Sequence, residues 1–311
     1  MLYFRGCTAR IKLNEIADST EKLLRLFNIK FDLLDNEKCC GSVLLRTGLE
    51  HESKELIKEN ISTFKGKTIL VSCAGCYNTL KHDYKRLFNL DIEVIHVSQF
   101  FNNLLNEILF ESKRNNKLNC NEFNFNNKSN INYNINYNIN SNINFYIDPN
   151  FFSILSSNLK ESKLEIFKKD NSNKLDIFKY SPDFQTVTYH DPCHLGRHSG
   201  IYDAPRELIK KFANIKEMAS NKEDALCCGA GGGVKSGYDD LSNKMASNRI
   251  KEAEDTGVDT IVTGCPFCKL NLKENSNLNV LDLSEFVYRN ITQFYDDFLI
   301  KQEYNNKNNI K

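Results

Sequence analysis

Ten cysteines recur in two sets with one internal order, and this repeat constrains the chain more than any other feature. The first set is Cys7, the pair Cys39 and Cys40 followed by Gly41, then Cys73 and Cys76; the second is Cys193, the pair Cys227 and Cys228 followed by Gly229, then Cys265 and Cys268. Gaps of 31 and 31 residues in the first set face gaps of 33 and 35 in the second. Two five-thiol patterns that match this closely point to an internal duplication. With 311 residues, the chain is long enough for two domains, each expected to bury its own core. The expected division is an N-terminal unit over 1–113, a linker over 114–145 and a C-terminal unit over 146–311.

The linker stands out by composition. Residues 115–144 hold 15 Asn in 30 positions, which leaves too little apolar volume for a packed element and predicts a disordered insertion. The alternating run "INYNINYNIN" within it could instead form an edge hairpin. Cys120 falls inside this segment and is read as a free thiol, because a disordered stretch cannot hold a metal in fixed geometry.

Charge excludes one class of partner. With 41 Lys plus Arg against 40 Asp plus Glu, the net charge is +1, and the basic footprint of a nucleic-acid binder is missing. The N-terminus lacks a signal-like apolar run and no window reaches the roughly 18 apolar residues of a spanning helix, so the chain reads as cytoplasmic, with no membrane span. Structural disulfides are rare in that compartment, so eleven cysteines imply metal or redox work.

Short apolar runs lead into most cysteine groups: "LYF" before Cys7, "FDLL" before Cys39, "KTILVS" into Cys73, "TVTYH" before Cys193 and "DTIVTG" into Cys265. Helix-like patterns follow in "TARIKLNEIADSTEKLLRLF" and "YNTLKHDYKRLFNL". The predicted class is therefore α/β: two homologous domains with small parallel sheets flanked by helices, related as a pseudo-twofold duplication. In such sheets the loops after the strands gather along one edge, so five scattered thiols per domain converge on one spot. Gly41 and Gly229 are candidate cofactor-binding positions, because a glycine turns the backbone tightly and lets it approach a bulky inorganic group.

Three ligand chemistries compete. Structural zinc needs four tetrahedral ligands, commonly two C-x-x-C knuckles, whereas each set here offers five thiols and one knuckle. Dithiol exchange at Cys73 and Cys76 or at Cys265 and Cys268 would leave three thiols per set unexplained. An iron-sulfur cluster is held by thiolates, and five of them suit an assembly that departs from the usual four-cysteine cube.

The words "FRGCTAR", "CCGSVLLRTG", "SCAGCYNTLKHDY", "YHDPCHLGRHSGIYDAPREL", "CCGAGGGVKS" and "CPFC" resemble the cysteine-rich CCG domain family, most closely the catalytic part of heterodisulfide reductase, as found in its D-type and B-type subunits. The resemblance spans the chain except for the Asn-rich insertion. It implies two non-cubane [4Fe-4S] clusters, one on Cys7, Cys39, Cys40, Cys73 and Cys76, the other on Cys193, Cys227, Cys228, Cys265 and Cys268. It also implies a disulfide substrate, the mixed disulfide of coenzyme M and coenzyme B, with each sulfur caught by iron. The D-type chains usually carry a ferredoxin-like region ahead of these motifs, whereas this sequence starts at "MLYFRGC". Electrons are then expected from a ferredoxin-like or other electron-donor protein, through which the chain could also associate with a membrane.

Further candidates flank the thiols. His190, His194 and His198 recur every four residues around Cys193; they could protonate leaving thiolates, or pack along one face of a helix starting near Asp191. His194 is favoured as a catalytic residue because it adjoins a ligand. Asp191 before Pro192 fits a helix cap. The glycine run ending in Lys235 and Ser236 is not a phosphate loop, since Val234 separates Gly233 from Lys235; Lys235 is a second catalytic candidate, able to meet an anionic substrate. Arg10, Arg46 and Arg197 could bind anions or balance the charge of a thiolate-bound cluster.

The leading expectation is a disulfide-reducing iron-sulfur oxidoreductase. Its alternatives are an electron-transfer component of a flavin dehydrogenase of the glycolate, lactate or glycerol-3-phosphate type, and a zinc module without catalysis.

Overall fold

The computed structural model describes residues 1–117, 133–136, 142–145 and 185–293. Three strands of the N-terminal half, β1 (Leu2–Phe4), β2 (Ile69–Val71) and β3 (Val94–His96), form a parallel sheet in the order β1-β2-β3. In the C-terminal half β6 (Thr186–His190), β7 (Asn214–Ile215), β8 (Thr260–Thr263) and β9 (Asn279–Asp282) form a second parallel sheet, ordered β7-β6-β8-β9.

The registers superpose one half on the other. Leu2, Tyr3 and Phe4 face Ile69, Leu70 and Val71, while Thr188, Tyr189 and His190 face Ile261, Val262 and Thr263. Tyr3 thus matches Tyr189, and Phe4 matches His190. The extra strand β7 also has a trace in the first half, where Asp32 makes an isolated parallel bridge to Leu2. A full strand is expected at "FDLL", yet its Phe31, Leu33 and Leu34 are only half-buried at the sheet edge. One bridge is all that the exposed edge supports.

Parallel strands covered on both faces should be apolar throughout, and β1, β2, β3 and β8 are buried at every position. Neither half keeps a core to itself. One apolar cluster joins Tyr3, Leu70, Ile95 and Phe101 to Tyr189, Val262, Leu281 and Phe286. Another joins Phe4, Ile57, Val71 and Leu80 to Leu195, Ile250, Ile261 and Leu272. The expectation of two separately filled cores is replaced by two shared ones, because three or four short strands per sheet bury too little alone.

Two helix starts repeat across the duplication. The Gln99 side chain accepts the backbone N–H of His96, and Glu285 accepts that of Asp282; Ser98 N–H and Ser284 N–H donate in turn to the His96 and Asp282 side chains. Both resemble capping boxes, in which the fourth residue accepts the N–H of the first while the side chain of the first accepts the N–H of the third. They start the helices Val97–Lys117 and 283–293. The predicted helix over 8–27 is observed as Cys7–Ile11 and Asn14–Leu26, and the one over 77–90 carries a π-helical turn at Thr79–Asp83.

Of the Asn-rich segment, β4 (Tyr133–Asn136) and β5 (Asn142–Phe145) are described, and they pair antiparallel as a two-stranded sheet of their own. Only β4 lies in the run expected to form an edge hairpin; its partner β5 lies beyond it, and the pair joins neither parallel sheet. Cys120 lies outside the described residues. Among the described residues no helix is long and apolar enough to cross a membrane.

Candidate metal centres

Each cysteine takes its position from a backbone feature near a strand end. Gly6, with φ 80, turns the chain out of β1 so that Cys7 opens the helix Cys7–Ile11. A Cβ there would sit 3.1 Å from Cys76 Sγ. Cys73 and Cys265 cap the helices Ala74–Asn78 and Pro266–Glu274, which places Cys76 and Cys268 one turn in; Cys73 Sγ accepts the Cys76 N–H at 3.5 Å.

The two CCG turns are built alike. Gly41 and Gly229 are left-handed, with φ 87 and 81, and their N–H groups donate to Cys39 Sγ at 3.5 Å and Cys227 Sγ at 3.4 Å. Ser53 and Ser242 hydroxyls bind the carbonyls of Gly41 and Gly229. Asn60 donates to Cys39 O at 2.8 Å and Asn271 to Cys228 O at 2.6 Å. These asparagines and serines carry no motif signal, because each binds a backbone carbonyl 12 to 43 residues away in sequence.

The ten thiols are all free, and together they line one cavity with about 890 Å³ of non-protein space including its mouth. Within the first nest, Cys7 and Cys39 sulfurs are 3.8 Å apart, and contacts run on from Cys39 to Cys40, Cys76 and Cys73. Within the second, Cys193 touches Cys227, then Cys228, with Cys228 and Cys268 sulfurs at 3.3 Å and Cys268 against Cys265. Cys73 meets Cys265, so the nests join at their knuckles. Sulfurs around one tetrahedral metal at a bond length of about 2.3 Å lie about 3.8 Å apart. The Cys7–Cys39 separation matches that value, and the Cys228–Cys268 separation is shorter; five thiols per nest facing one cavity are a donor set suited to an iron-sulfur group.

Packed thiols do not ionise independently. A hydrogen bond from Cys193 pulls Cys227 well below the ordinary thiol range, and its partner Cys193 is pushed up for the same reason. Likewise Cys40 is lowered by Cys39, which is pushed up to about 11. A metal that demands thiolates resolves this mutual repulsion.

The other predicted residues fall in different places. His194 lines the cavity; its ring stacks on His198 with centroids 5.2 Å apart, and Arg46 donates to its Nε2 at 3.5 Å. Burial lowers its pKa, which favours the neutral ring. Arg46 also lines the cavity and is fixed by Asp83 at 2.6 Å. Lys235, expected at an anionic substrate, turns away to Glu274 at 2.6 Å and Asn271 at 2.8 Å and is not among the cavity-lining residues. The left-handed Gly233 starts the short helix Val234–Gly237 and carries it there. Arg197 donates to Ala225 O, whereas Arg10 Nε is buried without a partner among the described residues.

No helix begins at Asp191. Residues 193–199 form successive turns, and Asp191 makes a bidentate pair with buried Arg206 at 2.7 and 2.8 Å and accepts the Lys222 N–H. Pro192 lacks an N–H, and an ion pair on the carboxylate outweighs a cap. The three histidines accordingly do not share a face. His190 is the buried end of β6, and its Nδ1 accepts from Arg249 Nε at 3.0 Å. Glu37, which no motif in the sequence marks, receives the N–H groups of Arg5 and Gly6 and ties the CCG loop to the Cys7 turn.

The halves also meet through polar contacts. His96 Nε2 binds Gly264 O at 3.1 Å, and buried Lys269 bridges Glu15 at 2.8 Å and Glu285 at 2.5 Å.

Comparison with known proteins agrees with this geometry. The chain is 34% identical over 285 residues to the D-type chain of dihydromethanophenazine:CoB–CoM heterodisulfide reductase from Methanosarcina acetivorans, a match covering 88% of this chain and 53% of that protein. It is 24% identical to the B-type chain of fumarate reductase (CoM/CoB) from Methanothermobacter marburgensis (92% and 46% covered). To the probable iron-sulfur-binding oxidoreductase FadF of Bacillus subtilis it is 27% identical (82% and 27% covered). The chain thus spans about half the length, or less, of these curated relatives. The model of the cysteine-rich CCG domain matches residues 1–81 and 187–273, one stretch around each nest. By that match the chain belongs to the cysteine-rich CCG domain family.

Proposed function

We propose that this chain is the catalytic iron-sulfur part of a disulfide reductase, with a [4Fe-4S] cluster of non-cubane type in each nest. The observation that carries the reading is the single cavity onto which both sets of five thiols open, joined at Cys73 and Cys265. Five thiolates per nest exceed what a structural zinc ion takes, and the heterodisulfide reductase and iron-sulfur relatives support iron.

Iron held there would supply a thiophilic Lewis acid and a store of single electrons. Reduction of a disulfide consumes two electrons and two protons and releases two thiols. The residues of this chain are suited to the proton and charge side of that balance. His194, at the cavity wall, is placed to relay a proton to a departing thiolate sulfur: the ring takes one up from solvent, and its lowered pKa makes the imidazolium a ready donor. Arg46, locked by Asp83, offers a fixed cation for an anionic substrate group or for the charge of the thiolate shell. The buried walls, with Pro192, Pro266 and Phe267 among the lining residues, exclude water from the reacting sulfurs. Electrons come from a ferredoxin-like or other partner protein, and the mixed disulfide of coenzymes M and B is the first substrate to try.

The test is anaerobic purification with assays for iron, sulfide and zinc, followed by turnover with reduced viologen and a panel of disulfides including the coenzyme M/coenzyme B heterodisulfide. Loaded protein without disulfide turnover would remove the catalytic claim. Relatives named for other oxidoreductions keep a second reading open, an electron-transfer component working with a flavoprotein; co-purification with a flavoprotein and silence toward every disulfide would select it.

A further inference from the structure

His190 is placed unlike anything in the first half. It is 1% exposed at the end of β6, three residues before Cys193, and a ring nitrogen lies within 4.8 Å of both Cys228 Sγ and Cys268 Sγ, which are themselves in contact. The cluster of one histidine and two thiols looks like three metal ligands. Arg249 decides against that. Its Nε–H donates to His190 Nδ1, so Nδ1 holds the lone pair and the neutral ring carries its one proton on Nε2. A protonated nitrogen cannot ligate a metal. Nε2 is buried and has no partner among the described residues, and an N–H left unpaired in a dry site is costly. The acceptors at hand are sulfurs.

Arg249 is itself fixed, by Glu252 at 2.5 Å and Ser220 O at 2.7 Å, so the tautomer is set by an anchored group. In the first half the matching position is Phe4, which packs edge-on against Phe64 with centroids 5.5 Å apart. The position matching Arg249, counted from the paired Ser53 and Ser242, is Asn60, whose amide goes to Cys39 O. One nest therefore has a buried, unpartnered ring N–H beside its sulfurs where the other has a hydrocarbon ring.

We infer that His190, oriented by Arg249, donates its Nε2–H to the sulfur shell of the C-terminal nest and makes the cluster there easier to reduce than the N-terminal one. Hydrogen bonds to the sulfurs raise a cluster's potential, because they stabilise the negative charge that an added electron brings. This rests on the iron-sulfur reading of the nests. His190 is a positioning residue of the electron store, acting through Cys228 and Cys268, and it assigns the two halves different electronic duties.

The experiment is a potentiometric EPR titration of the loaded protein, wild type against His190→Phe and His190→Gln, with iron and sulfide counted in each. His190→Phe should weaken reduction of one cluster about tenfold, a drop of about 59 mV for a one-electron couple, and leave the other unmoved. His190→Gln, which keeps an N–H donor, should recover part of the drop. If His190→Phe fails to load its nest, Arg249→Met takes its place: freeing the tautomer should move the same cluster downward by a smaller step. Loaded variants whose potentials equal wild type would overturn the inference alone. Pulsed EPR with labelled histidine should show only weak nitrogen coupling, and a strongly coupled nitrogen would overturn it by making His190 a ligand. Protein with zinc and no sulfide would overturn the iron-sulfur reading and this inference together.

Discussion

The two nests share one backbone plan and differ in the polar groups behind it. Both carry a left-handed glycine whose N–H reaches the first sulfur of the pair, a serine on that glycine's carbonyl and an asparagine on a cysteine carbonyl. Behind the first stand Phe4, Phe64 and Tyr84; behind the second stand His190, Arg249 and the Asp191–Arg206 pair. The two halves share what grips the metal. What surrounds it differs, aromatic packing in one and buried charge in the other. The nests should then load alike and respond differently to substitution.

The largest effects are expected among the thiols. Cys7→Ser or Cys193→Ser, at the far ends of the line of contacts, should each lower bound iron by about half, because one nest loses its metal. Cys73→Ser and Cys265→Ser, at the junction, should disturb the EPR signals of both nests. Signals that always change one at a time would break the picture of joined nests.

Next in size is the buried charge of the second half. Asp191→Ala leaves Arg206, with a side chain only 5% exposed, paired to Glu217 alone and strands the Lys222 N–H, and should cost about 2–4 kcal/mol by denaturant unfolding. The corresponding clamp of the first half, Glu37→Gln, keeps an acceptor for one of the Arg5 and Gly6 N–H groups and turns its NH2 toward the other, and should cost about 1–2 kcal/mol. Equal costs would contradict the contrast.

The glycines differ by a smaller step. Alanine at either adopts a left-handed conformation, worth about 1–2 kcal/mol. At Gly229 the new Cβ would also meet Ser242 O at 2.6 Å, a backbone atom that cannot swing aside, whereas at Gly41 it meets the Ser53 hydroxyl at 2.8 Å, which can rotate. Gly229→Ala should therefore lower Tm further than Gly41→Ala, by an extra cost of about 1–3 kcal/mol.

Acidification should weaken the shared core. Burial depresses the pKa of His96 to about 4, so above pH 6.5 the group is neutral in both folded and unfolded chain and contributes nothing. Between 6.5 and about 4 the unfolded chain takes up a proton that the folded one refuses, and stability falls by up to about 1.4 kcal/mol per pH unit. His96→Gln should flatten that slope over pH 7.5 to 5, measured against wild type. The smallest contrast is at the helix caps: Gln99→Ala should cost about 1 kcal/mol, and Glu285→Ala more, since Lys269 then loses a buried partner.

The cysteine spacing picks out the two thiol nests, because a doubled order of thiols and glycines stands out whatever the residues between. The parallel α/β class follows from apolar runs that end at cysteines. Less can be read where a partner is distant in sequence. Asn60, Asn271 and Arg249 sit in helices whose local pattern says nothing about a partner 21, 43 or 59 residues away. The Asp191 turn reads as a helix start, since the Arg206 that claims its carboxylate lies 15 residues on. "FDLL" looks like a strand because edge and centre share one composition. The shared core is hidden for a similar reason: apolar residues report burial, and they do not say against which half.

The measurement that meets the central claim most directly is metal analysis with Mössbauer spectroscopy on anaerobically purified protein. Two loaded nests predict about eight iron atoms and eight sulfides per chain, all in thiolate-ligated clusters. Stoichiometric zinc with no acid-labile sulfide would contradict the account.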